Sequence, residues 1–131
     1  MKRAFVDTSA WFAYANRHDP DHAAVAAVLR RRDLRFVTSN FVFDETVTLT
    51  RRLGHGAART VGDTLRNPAA VEMVRASHDD EEAAWALHGA RPDKARSYTN
   101  CVSFEIMHRL GLTVAVSLDD DFAQAGFDVL P

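Results

Sequence analysis

The chain has 131 residues, enough for one domain with a core that needs no covalent staples, and its 47% hydrophobic and 26% charged content is that of a globular protein. Sixteen basic residues against eighteen acidic ones give a net charge of −2, so no global field announces a nucleic-acid or membrane-surface partner. The single cysteine, Cys101, excludes a disulfide framework, and the lack of any Cys-x-x-Cys pair excludes structural zinc fingers and thioredoxin chemistry. No apolar run reaches the length of a bilayer span, and Met-Lys-Arg leads straight into a strand without the apolar stretch of a signal peptide. A single domain over 1–131, cytoplasmic and free of membrane contact, is expected.

The first informative stretch is Arg3-Ala-Phe-Val-Asp7-Thr8-Ser9-Ala-Trp11. Ala4, Phe5 and Val6 read as a buried strand, and Ala10 to Tyr14 read as a helix that Thr8 or Ser9 caps. Asp7 then stands at the carboxyl end of a strand, the edge at which open α/β sheets bind ligands. Trp11, Phe12 and Tyr14 recur at helical spacing and read as core rather than as a base-stacking surface. His18-Asp19-Pro20-Asp21-His22 is a polar break, with Pro20 placed in the first turn of the next helix, and it reads as a solvated cap rather than a metal site. Ala23 to Leu29 forms that helix, which Arg30-Arg31-Arg32 closes with charge that suits its carboxyl end.

Leu34, Phe36 and Val37 give a second strand, and Thr38-Ser39-Asn40 caps a helix running to about Leu53. On that helix Glu45 shares a face with Phe41, Val42 and Leu49, whereas Asp44 lies beside Asn40, Thr48 and Arg51. Glu45 is expected inward, where a carboxylate is costly unless it is paired or bound to a metal. Gly54-His55-Gly56 ends the helix, and Ala57 to Leu65 completes an αα-hairpin laid over one edge of the sheet. Val71, Met73 and Val74 form a third strand, followed by a helix from Asp79 to Leu87 with acids in its first turn.

Arg91-Pro92-Asp93-Lys94-Ala95-Arg96 is a basic loop leading to a helix that Ser97 or Thr99 caps, with Asn100 in its first turn and Gly111 at its end. Leu112 to Val116 is the fourth strand; it delivers Ser117-Leu118-Asp119-Asp120-Asp121-Phe122, and Phe127 to Leu130 adds a short edge strand. Asp7, Glu45 and Asp119 therefore gather near one sheet edge with Asn100 among them. Unit charges of one sign at about 4 Å repel by about 4 kcal/mol at an effective dielectric near 20, so such a gathering calls for a cation. Oxygen donors without thiolates suit Mg²⁺ or Mn²⁺, and such ions support hydrolysis of a nucleic-acid backbone. Arg51 and Arg52, with Arg91, Lys94 and Arg96, are candidates for holding substrate phosphates.

Val6-Asp7-Thr8-Ser9-Ala10, Glu45 after Thr38-Ser39-Asn40, Ser97-Tyr98-Thr99-Asn100-Cys101-Val102-Ser103-Phe104 and Ser117-Leu118-Asp119-Asp120-Asp121-Phe122, in this order, resemble a PIN domain of the VapC toxin type over nearly the whole chain. The resemblance implies a three-layer α/β/α fold with a central, mainly parallel sheet of four to five strands. It also implies a Mg²⁺- or Mn²⁺-dependent endoribonuclease acting on RNA, usually a homodimer, with a cognate antitoxin that occupies the acidic groove. Asp7, Glu45 and Asp119 match the metal-binding acids, Asp121 is an additional ligand candidate, and Thr8 and Ser117 are hydrogen bonders beside them. Asn100 stands where the family pattern has Asp. It keeps one ligand oxygen and gives up a charge, which implies weaker metal binding and weaker activation of water. Natural loss of activity and an introduced inactivating change both fit this departure, and a non-catalytic PIN-like module that binds RNA or a partner is the alternative. Receiver domains and aspartyl phosphatases fit less well, because Thr8-Ser9 follows Asp7 and no Lys lies near the last strands.

Overall fold

In the computed structural model, which describes residues 2–131, the apolar runs become five strands: β1 (Lys2–Val6), β2 (Leu34–Ser39), β3 (Glu72–Val74), β4 (Val114–Val116) and β5 (Asp128–Leu130). All neighbours pair in parallel, in the order β3-β2-β1-β4-β5. Ala4, Phe5 and Val6 of β1 and the whole of β4 are buried, as strands must be when helices cover both faces of a parallel sheet. The covering layers are α1 (Thr8–Ala15), α2 (His22–Leu29), α3 (Asn40–Thr50), α4 (His55–Leu65), α5 (His78–Ala90), α6 (Tyr98–Leu110) and α7 (Asp120–Gln124). The result is an α/β/α sandwich around a five-stranded, wholly parallel sheet. Among the described residues no helix is long and apolar enough to cross a membrane.

Several local features differ from the sequence reading. Asp7, not Thr8 or Ser9, caps α1, its carboxylate accepting the Ser9 N–H, so the acid at the strand end and the helix cap are one residue. Pro20 falls in the turn before α2, which begins at His22; the His22 Nδ1 lies 2.9 Å from the Ala13 carbonyl and ties α2 to the end of α1. α3 stops at Thr50 and tightens into a 3₁₀ turn, Arg51–Leu53, ahead of Gly54, whose φ of 115° disfavours any side chain. Strand β4 starts two residues later than Leu112.

The helix that matters most to the site is α6. Asn100, Cys101, Val102, Ser103, Phe104, Ile106 and Met107 are all buried, so this helix is held on nearly every side. Phe104 packs edge-on against Phe122 of α7 with ring centroids 4.9 Å apart. Its other anchor is Arg109, whose guanidinium donates to the buried Asp80 carboxylate at 2.8 and 3.0 Å. Asp80 also closes a capping box with Ser77 at the start of α5. Burial raises the Asp80 carboxyl, but the hydrogen bonds from Arg109 and Ser77 outweigh it and hold the group below the usual carboxylate range.

Asp80→Ala removes the reciprocal half of the capping box and leaves Arg109 without its carboxylate partner, and is expected to cost about 2–3 kcal/mol in urea unfolding at pH 7. Because the folded carboxyl is depressed, this contribution is complete above the unfolded value and fades as pH falls toward the folded one. The gap between parent and variant should therefore narrow in acid.

Candidate active site

Parallel register decides which side chains meet. Val6 pairs with Val116, so the residues that follow, Asp7 and Ser117, leave the sheet side by side. The Asp7 N–H donates to the Val116 carbonyl at 3.0 Å, and the Ser117 hydroxyl donates to Asp7 Oδ2 at 3.0 Å. From β1 the order runs through β2 and β3 on one side and through β4 and β5 on the other. The β1/β4 boundary is thus the switch point of the sheet, where helices diverge and a crevice opens.

Ser9 completes the cradle. Its Oγ donates to Asp7 Oδ2 at 2.8 Å and accepts the Leu118 N–H at 2.9 Å, while Ser117 Oγ accepts the Asp119 N–H at 3.0 Å. Asp7 Oδ2 is well satisfied, yet Oδ1 is buried without a partner among the described residues. The residue is only 2% exposed. Burial pushes its carboxyl up to about 6, against the pull of the Ser9 and Ser117 hydroxyls and the Thr8 backbone, with the negative charge of Asp119 adding to the rise.

Asp7, Glu45, Asn100 and Asp119 line one cleft of about 620 Å³. Glu45 reaches it from α3, whose start is fixed by Ser39 accepting the Val42 N–H at 3.1 Å. Glu45 is half-buried and Asp44 exposed, in keeping with their opposite helical faces, although Asp44 also reaches the cleft rim. Asn100, in the first turn of α6, donates through Nδ2 to Asp119 Oδ2 at 2.9 Å and to Asp121 Oδ2 at 3.2 Å. Asp121 takes part through that contact and does not itself line the cleft.

Thr8 and Ser117, both named from the sequence as hydrogen bonders, fare differently. Ser117 binds Asp7, whereas the Thr8 hydroxyl is buried without a partner among the described residues, and Ser9 makes the contact instead. The signal for Ser9 was its position two residues after a helix-capping Asp. Of the basic candidates only Arg52 lines the cleft; Arg51, Arg91, Lys94 and Arg96 do not. Arg91 pairs with Asp93, Lys94 donates to Gln124 at 3.2 Å, and Arg96 lies over the Phe104 ring.

Among the described residues, no three His, Cys, Asp or Glu side chains stand close enough to hold an ion by themselves. The donor chemistry of the cleft still suits a hard divalent cation: it is all oxygen, and it contains a buried carboxylate oxygen with nothing bound to it. Asp7, Glu45, Asp119 and the amide oxygen of Asn100 are the candidate ligands.

Residues 4–128 match the PIN domain. The chain belongs to the PIN-domain family. It is similar to the 23S rRNA-specific endonuclease VapC20 of Mycobacterium tuberculosis, in strains CDC 1551 / Oshkosh and ATCC 25618 / H37Rv, at 35% identity over 124 residues, 94% of each chain. Among solved structures, M. tuberculosis VapC20, described as a sarcin-ricin loop cleaving toxin, matches with a TM-score of 0.91 at 32% identity over 98% of this chain and 99% of that one. A chain from VapBC2 of Rickettsia felis, solved bound to a DNA fragment from their promoter, matches with a TM-score of 0.71 at 10% identity, covering 97% and 96%. That second likeness is one of fold.

Because the folded Asp7 carboxyl lies above its unfolded value, the native state binds more protons between about pH 4 and pH 6. Stability in metal-free buffer should fall as pH rises through that window, by about 2–3 kcal/mol in all. Asp7→Asn, which retains a good helix cap, is expected to lose this slope and to be the more stable protein at pH 7, as read by urea unfolding at pH 4.5 and 7.

Proposed function

We propose that this chain is a metal-dependent endoribonuclease of the VapC type, hydrolysing RNA phosphodiester bonds with Mg²⁺ or Mn²⁺ held by Asp7, Glu45, Asn100 and Asp119. One observation carries the reading: a buried carboxylate with an unpartnered oxygen, placed at the switch point of the sheet among further acids. A bound divalent ion would supply charge neutralisation at the scissile phosphate and a more acidic water. The protein's own side chains do the rest. Ser9 and Ser117 fix Asp7 Oδ2 and leave Oδ1 for the cation. Glu45, from the separate wall formed by α3, orients the attacking water. Arg52 holds a phosphate at the cleft rim, where its charge offsets the surrounding acids.

RNA as the substrate class is supported by the VapC20 relatives, which act on 23S rRNA, and that RNA is the first substrate to try. A cognate antitoxin protein as partner and a homodimer as the assembly are carried over from the same VapC-type likeness. Asn100 contributes an oxygen without a charge, so cleavage is slower than an acid at this position would allow. A second reading, a PIN-like module that binds RNA or a partner without cutting it, is favoured by one feature: the Asn100 amide already occupies Asp119 and Asp121.

Incubation of 23S rRNA with the protein should give discrete fragments in Mn²⁺ or Mg²⁺ and none in EDTA, and Asp7→Asn or Asp119→Asn should lower the rate at least about 100-fold. Unchanged metal-dependent cleavage in Asp7→Asn would overturn the assignment; no cleavage by the parent on any RNA class would favour the binding module. Arg52→Ala is expected to weaken RNA binding and to reduce the slope of log affinity against log salt by about 1, read by titrating labelled RNA at several salt concentrations.

A further inference from the structure

Beyond the cleavage reaction, but resting on that reading of the cleft, we propose that Asn100 is a neutral clamp that holds the acids of the β4–α7 turn in order without a cation. The side chain is placed from both ends. Its backbone N–H donates to the Ser97 cap at 3.0 Å, and Phe104, one turn further along α6, packs on Phe122 of α7. The carboxamide is buried, and its Nδ2 reaches one oxygen of Asp119 at 2.9 Å and one of Asp121 at 3.2 Å. The two hydrogens of one amide thus serve two carboxylates. The other Asp119 oxygen accepts the Asp121 N–H at 3.0 Å, and the Asp119 N–H is taken by Ser117.

This arrangement depends on the residue type. A carboxylate at position 100 has no hydrogen to offer, and would place a third negative group at the same short distances from Asp119 and Asp121. Relief would then have to come from a cation or from protons. With Asn100 the turn is satisfied from within, and among the described residues the Asp7 oxygen is the buried carboxylate oxygen left without a partner. The amide therefore acts as a positioning residue: it orients Asp119 and Asp121 before any ion arrives, and makes the folded state depend less on divalent metal than a carboxylate at this position would. A ligand that binds the native state stabilises it the more the tighter it binds, so this difference is measurable as a thermal shift.

The test compares the parent chain with Asn100→Asp and with Asn100→Leu, a similar-sized side chain with neither donor nor charge. Each is melted in EDTA and in Mn²⁺, and Mn²⁺ affinity is measured by titration calorimetry. The parent should gain from Mn²⁺ at most about half the rise in melting temperature that Asn100→Asp gains. Asn100→Asp should melt at least about 5 °C lower in EDTA, recover in Mn²⁺ and bind Mn²⁺ at least about tenfold more tightly. Asn100→Leu should be lowered in both buffers and not be rescued. The clamp is refuted if Asn100→Asp matches the parent in EDTA, or if the parent gains as much from Mn²⁺ as that variant does. None of these readings uses RNA, so a rescued Asn100→Asp that cuts no RNA would sink the nuclease and leave the clamp standing.

Discussion

An ionised carboxylate buried with one oxygen unpartnered is the constraint around which this molecule is arranged. Asp7 must sit at the end of β1 to cap α1, and the parallel pairing of β1 with β4 then encloses it between Ser9 and Ser117. The hydroxyls satisfy Oδ2 but bring no positive charge, so the carboxyl stays raised to about 6 by burial. A group that is costly to ionise in the folded state would serve poorly as a structural cap alone. Its position suits a site whose ligand supplies the missing charge.

The remaining cleft residues arrive by separate routes, each fixed by apolar packing together with a polar contact at a helix end. α3 brings Glu45 on a helix whose buried face includes Val42 and Thr46. α6 brings Asn100 on a helix buried over most of its length, locked at its far end by Arg109 and Asp80. The Phe104–Phe122 contact then joins α6 to the turn that carries Asp119 and Asp121. Protein interiors resist small displacements, so like charges can be held together only because these helices cannot move apart.

Belonging to the PIN-domain family constrains the scaffold far more than it constrains each ligand. A TM-score of 0.91 to VapC20 at 32% identity means that the backbone path is shared while two thirds of the side chains differ. At position 100 the side chain is an amide, which has the shape of a carboxylate but donates hydrogen bonds and carries no charge. The cleft therefore has to be read from its own contacts.

The sequence by itself determined the elements and their class, because buried parallel strands are apolar throughout and their helices carry caps and stops. It also singled out Asp7 and Asp119 at strand ends, Glu45 on an apolar helical face and Asn100 in a helix first turn, and these four line one cleft. What the tertiary structure alone decided is which neighbours those residues have. Strand order made β1 and β4 adjacent and set Ser117 against Asp7; helix docking brought the Asn100 amide onto Asp119 and Asp121; and the tightened turn after α3 left Arg52, not the basic loop of residues 91–96, at the cleft. Pairings of this kind join residues from 19 positions apart, as Asn100 and Asp119 are, to 110, as Asp7 and Ser117 are, and no local pattern encodes them. They follow from strand register and packing, which exist only once the chain has closed on itself.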